Sequence, residues 1–219
     1  MTPKTVYGFA KLVVEPFELK QVPVKQRKSV DRIALAVEEN GGQRAIITRT
    51  LILKKIGEHL RAQYTDAREA LRYLAGLDRR LATWGACACA REALRFVPSD
   101  EARPLRAIEA TERWLAGQAT LDEVRESRHG AWAAWSDATA ATAAADAAHA
   151  AYAAATAAAV AAYAADSASV AAYAAAYAAA AYTANARAPA WDAARIAELA
   201  RLVGVVADAL PGLPPEVIA

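Results

Sequence analysis

Cysteine is nearly missing from this 219-residue chain: there are two, Cys87 and Cys89, with three histidines, three phenylalanines and one methionine. A two-residue step turns a helix by about 200°, so within the helical-looking run WGACACAREALRF the two sulfurs point to opposite sides. That geometry excludes a CxxC redox pair and a zinc ligand pair, and leaves two small reduced residues in a tight helix interface. Charge of one sign is missing too. Twenty-six basic against 24 acidic residues give a net charge of +2, too little for a global pull toward nucleic acid or an anionic membrane. Catalytic signatures are absent as well: there is no GxSxG, no GxGxxG after a strand, no GxxxxGK[ST] and no HExxH. His59, His129 and His149 are scattered, and only Asp146 and His149, at i,i+3, stand close enough to pair. No enzyme activity, cofactor or metal is expected.

The first twenty residues, MTPKTVYGFAKLVVEPFELK, carry scattered charges and no continuous apolar core, so they do not read as a secretory signal, and a cytoplasmic location is expected. Glycine and proline are absent from 131–188, where alanine dominates. Residues 147–165 and 167–186 hold no charged side chain, about the length of a membrane span. They contain only Val160 and Val170 of the strongly apolar types, which leaves insertion unfavourable. Disorder is also a poor reading, because alanine has the highest helix propensity. His149, Tyr152, Thr156, Val160 and Tyr163 step by three and four along one helix face. Val170, Tyr173 and Tyr177 resume that spacing, with Ser167 placed as a cap. Helix breaks are expected near 137–146 and at 166–168. Helices this rich in alanine approach closely, with the sparse Tyr and Trp supplying bulk between them.

The flanks agree. Thr65 reads as an N-cap ahead of a stripe of Leu71, Leu74, Leu77, Leu81 and Trp84, with Gly76 as the weak point for one continuous helix. The chain breaks at Pro98, restarts with Pro104 at the first helical position, and stops at Gly117 as a C-cap glycine. Leu105, Ile108 and Leu115 face inward there, and Glu109 and Arg113 form an outward pair. Leu121, Val124, Arg128, Trp132 and Trp135 mark the next helix, and a last one runs from Pro189 to Pro211. The expected fold class is therefore all-α: an alanine-rich antiparallel helical bundle over 61–212, a C-terminal tail at 213–219, and a small N-terminal α+β or extended subdomain over 1–60.

Residues 1–60 hold eleven Lys/Arg against six Asp/Glu, whereas 131–186 holds three Asp and no basic residue. Pro16 and Pro23 break the front into one or two short strands or an extended arm. SVDRIALAVEEN reads as a helix capped by Ser29, Gly41-Gly42 as a turn, and RAIITRTLILKKIGEHL as a helix or a strand followed by one. Helix, glycine turn and basic helix is also the pattern of a helix-turn-helix DNA reader, so nucleic acid is a second candidate partner, through residues 20–60.

Residues 84–117, WGACACAREALRFVPSDEARPLRAIEATERWLAG, resemble the bacterial immunity proteins of polymorphic-toxin systems. The match lies at Trp84, Cys89, Ala90, Pro98, Asp100, Arg103, Pro104, Ile108, Trp114 and Gly117. The alanine-rich stretch from about 121 to 187 is similar to that family's second half in composition. The 167–187 helix lacks the histidines of the family's later helices, and the first sixty residues have no counterpart. The resemblance implies an all-α protein that binds and neutralises a cognate toxin without chemistry of its own. On physical grounds the candidate partner-binding residues are Asp100, Arg103 and Arg106, gathered at the start of a helix, where the aspartate suits the positive end of the macrodipole and the arginines do not, so the arginines need pairing with Asp100 or Glu101 or contact with a partner. Asp100 and Arg103 are expected to lock the corner, and Arg106 to face outward toward the partner. The oligomeric state expected is a monomer or a weak homodimer, with no membrane association.

Overall fold

The computed structural model describes residues 18–21, 35–38, 44–47, 49–138 and 188–214. Between these it describes Asp146, His149, Ala150, Tyr152, Thr156, Ser167, Val170, Ala171, Ala174, Ala175 and Ala178, all of them helical. Three strands, β1 (Glu18–Gln21), β2 (Leu35–Glu38) and β3 (Arg44–Ile47), form an antiparallel sheet in chain order. β2 replaces the helix expected over SVDRIALAVEEN at Leu35–Glu38, the rest of that segment lying outside the described residues: Val37 pairs with Leu19 on one side and Ala45 on the other. Leu35 and Val37 alternate with small and polar neighbours, and two flanking ladders satisfy the backbone, which outweighs a modest helix propensity. RAIITRTLILKKIGEHL resolves as a strand followed by a helix.

From Arg49 onward the described chain is helical. α1 (Arg49–Gln63) crosses residue 60 without a break and places Leu53, Ile56 and Leu60 in the core. α2 (Ala67–Leu77) starts one residue later than the sequence suggests. Asp66, not Thr65, is the N-cap, accepting a 2.8 Å bond from the Arg68 backbone and further bonds from its guanidinium. A carboxylate meets both partners at once, which a threonine hydroxyl cannot do. The leucine stripe is interrupted at Asp78 and not at Gly76. Asp78 closes α2 by donating its N–H to the Leu74 carbonyl at 2.8 Å, and opens α3 (Arg79–Ala93) by accepting from the Arg80 N–H at 2.7 Å. One extended residue thus turns the chain between two packed helices.

α3 is the centre of the molecule. It packs against α2, α4 (Arg103–Leu115) and α6 (Ala188–Ala209), so both its sides are buried, including Cys87 and Cys89. Gly85 permits the closest approach: a Cβ there would stand 2.6 Å from a Leu71 methyl and 3.0 Å from a Val206 methyl. α6 contributes Leu199, Leu202, Val203, Val206 and Ala207 at helical spacing, and short 3-10 turns follow α3 (Leu94–Phe96) and α6 (Leu210–Gly212). Leu213, in the segment read as tail, is buried in the same core. The Trp84 indole N–H donates to the Ala209 carbonyl at 2.8 Å and fixes the end of α6 to α3.

α4 begins with Pro104 in its first turn and ends in a Schellman motif. The Gly117 N–H donates to Trp114 and the Gln118 N–H to Arg113, with Gly117 at φ +70°, the left-handed conformation that glycine adopts at least cost. α5 (Leu121–Asp137) opens with a capping box: the Glu123 N–H donates to Thr120 Oγ1 at 3.2 Å, and the Thr120 N–H to the Glu123 carboxylate at 2.7 Å. Its buried face is Val124, Ala131 and Ala134, so Trp132, expected inside, points out at 51% exposure. α5 ends at Asp137, at the first break expected. Ser167 is itself helical, where the sequence suggests a cap, and the rest of that second break lies outside the described residues. Among the described residues no helix is long and apolar enough to cross a membrane.

Candidate functional site

α4 and α5 run antiparallel, joined by the short Gly117 corner, and a groove of about 380 Å3 lies between their solvent sides. Arg103, Arg106 and Arg113 line it from α4, and Glu123, Glu126, Ser127 and Gly130 from α5. Gly130 faces Arg103 at the floor of the groove, where an added Cβ would lie at ordinary contact distance, 3.8 Å from Arg103 Cβ.

Of the three residues singled out from the sequence, Arg103 and Arg106 line this groove and Asp100 does not, and the three do not form one unit. Asp100 is exposed in the turn before α4 and makes no hydrogen bond to Arg103 among the described residues. The corner is locked by other carboxylates. Glu101 accepts from the Arg103 backbone N–H at 2.9 Å and from its Nε at 2.9 and 3.0 Å, while Asp137 accepts from Nη1 at 2.7 Å. Glu101 thereby does the work of a cap from one position before Ala102, which has no side-chain acceptor. The Arg103 hydrogen bonds hold the Glu101 carboxyl below its usual range, with Arg106 adding to the field. Glu101 and Asp137 in turn hold the Arg103 guanidinium further above its own. Arg103 therefore ties the start of α4 to the end of α5, an interaction whose second partner lies 34 residues on and has no local sequence signal.

The Arg106 side chain, one turn further, is exposed and makes no hydrogen bond or close ion pair among the described residues. Arg113 is in the same position. Opposite them, Glu123 is occupied by its capping bonds, which lower its carboxyl, with Arg113 contributing. Glu126 makes no ion pair among the described residues. The groove thus carries two available cations on one wall and one available carboxylate on the other, an arrangement suited to recognising charged side chains, while the Ser127 hydroxyl donates to the Val124 carbonyl at 3.0 Å.

Elsewhere the titratable groups have structural surroundings. Burial pushes both thiols up, Cys89 to about 12. Cys87 feels Glu112 on α4, and Cys89 feels Glu92 with Arg201 and Glu198 on α6, so the two sulfurs face different neighbours as their spacing requires. The Asp146–His149 pairing does not form. The His149 ring lies flat on Trp135, with centroids 4.3 Å apart and planes 5° apart, and Tyr152 and Arg128 complete the cluster. Burial lowers the His149 pKa and raises that of Asp146. Stacking on the indole covers an imidazole face. Among the described residues no three His, Cys, Asp or Glu side chains converge as a metal site.

No family model matches this chain, and neither a curated protein nor a solved structure matches it.

Proposed function

We propose that the protein is an immunity protein that binds and neutralises a cognate bacterial toxin by protein–protein contact, without catalysis, and that the α4–α5 face is its binding surface. One observation carries the reading. Arg106 is exposed on the groove wall without a close partner, one turn after an arginine that is fully engaged in the fold. Arg106 adds to the field on Glu101 but its side chain makes no close ion pair among the described residues, so it is available to a partner's carboxylate, and arginine is enriched among interface hot spots. The segment that carries the family resemblance, 84–117, is the α3–turn–α4 unit that holds this arginine in place.

The test is a binding measurement with the protein encoded beside this chain's gene. A stable complex is expected, with Arg106→Glu weakening it by about 2 kcal/mol or more while the helical signal is unchanged. Failure of the neighbouring product to bind, or full affinity after Arg106→Glu, overturns the proposal for this face. The competing reading, a DNA-binding regulator using the basic residues of 20–60, predicts instead an affinity for duplex DNA that falls steeply with salt.

A further inference from the structure

The contact between Gly130 and Arg103 fixes the level of α5 against α4. With residue 103 opposite 130 in an antiparallel pair, Arg106 stands level with Ser127, one residue and about 1.5 Å from the level of Glu126. Arg113 stands within side-chain reach of Glu123, whose carboxyl it helps to lower. One wall of the groove therefore presents Arg106 and Arg113 and the other Glu126, with Glu123 already engaged by Thr120, and Arg106 and Glu126 stand at nearly the same height. Within the chain, Arg106 and Glu126 do not come within ion-pair distance across the groove.

We infer that this face is self-complementary and closes on a second copy of the chain, Arg106 of each copy meeting Glu126 of the other. A two-fold axis lying in the plane of the face and along the groove exchanges the two walls without changing any residue's level. It sets α4 of one copy over α5 of the other, so the Arg106–Glu126 pairing is made twice. The other in-plane two-fold, across the helices, sets α4 on α4 and opposes like charges, which selects the first arrangement. A polyanion fits less well, because Glu123 and Glu126 repel it from the second wall. Exposed ion pairs contribute little each, so the dimer is weak and is dispersed by salt. The inference does not rest on the immunity reading. If both hold, dimerisation and toxin binding compete for Arg106.

Sedimentation equilibrium of the full chain, from micromolar to about 1 mM, tests this. A monomer–dimer equilibrium is expected in about 20 mM salt and its loss in about 500 mM. Arg106→Glu and Glu126→Arg should each weaken association about tenfold or more, and the double variant should return to within about threefold of the parent. Circular dichroism checks that each variant is folded, and Arg106→Gln replaces Arg106→Glu if it is not. A chain that stays monomeric throughout, a dimer insensitive to either single change, or a double variant that does not recover overturns the inference. Recovery in the double variant without any complex with the neighbouring gene product would retain the dimer and sink the immunity reading. A toxin complex formed by a strictly monomeric chain would do the reverse.

Discussion

Asp100 and Arg103 share one corner and have different energetic roles. Arg103 is held by Glu101 and Asp137, so Arg103→Ala should lower the melting temperature, and Asp100→Ala, which removes an exposed carboxylate with no bond to Arg103, should leave it unchanged. The contribution has a defined pH dependence. The Glu101 carboxyl is depressed in the folded state, chiefly by the Arg103 hydrogen bond, so its stabilisation is present above the unfolded value of about 4.3 and is lost as pH falls through the folded value. The gap in melting temperature between the parent and Arg103→Ala should therefore narrow on acidification below that value. An equal gap at neutral and strongly acid pH would mean that Arg103 acts through packing alone. The cysteines make a second residue-scale test. With the Cys89 thiol pushed up to about 12 by burial and Cys87 raised by the same cause, neither should react with a disulfide reagent in the native protein near pH 8, and both should react in denaturant. Arg106 and the lone Cys-x-Cys were legible at this scale because exposure and helical phase follow from local spacing. Asp137 and Glu126 were not, because their relation to α4 exists only once α5 has packed.

Two glycines show how the same substitution changes sign with its place in a helix. Gly76 lies exposed inside α2 with nothing within 4 Å of an added Cβ, so Gly76→Ala should stabilise by about 0.5–1 kcal/mol through propensity and reduced unfolded-state freedom. Gly117 holds the Schellman corner at φ +70°, so Gly117→Ala should cost about 1–2 kcal/mol although it too has open space around it. Chemical denaturation of the two variants measures both, and a shared sign would contradict the conformational account. The sequence makes the ends of α4 readable because Pro104 and Gly117 have restricted backbone roles. It makes Asp66 and Asp78 harder to place, since a cap is chosen by which side chain reaches an N–H and adjacent Thr65 and Asp66 are both eligible. The β2 strand escaped because its pattern is short enough to fit a helix as well, and the neighbouring strands decide.

The alanine-rich half carries the largest inversion between pattern and packing. Spacing alone makes Val170, Tyr173 and Tyr177 a buried face, but Val170 is 37% exposed, and Ala171, Ala174, Ala175 and Ala178 are the buried positions; Tyr173 and Tyr177 lie outside the described residues. Those four alanines recur at helical spacing, so the smallest side chains face the interior. A periodic signal carried by large residues reports their phase without saying which side is dry, and in a helix made mostly of alanine either side can be buried. Trp132 on α5 makes the same point, exposed beside the buried Ala131. Packing through alanine gains little transfer energy per residue and depends on close approach, with many dispersion contacts at short range. Such an interface has no room for a larger side chain. Ala174→Leu should therefore destabilise by about 1–3 kcal/mol through overpacking, whereas Val170→Ala should change stability by less than about 0.5 kcal/mol, as expected of an exposed position. Equilibrium urea unfolding of both variants, followed at the helical band, separates the cases. If Ala174→Leu is neutral and Val170→Ala is costly, the helix is turned the other way and the valine face is the one that meets the core.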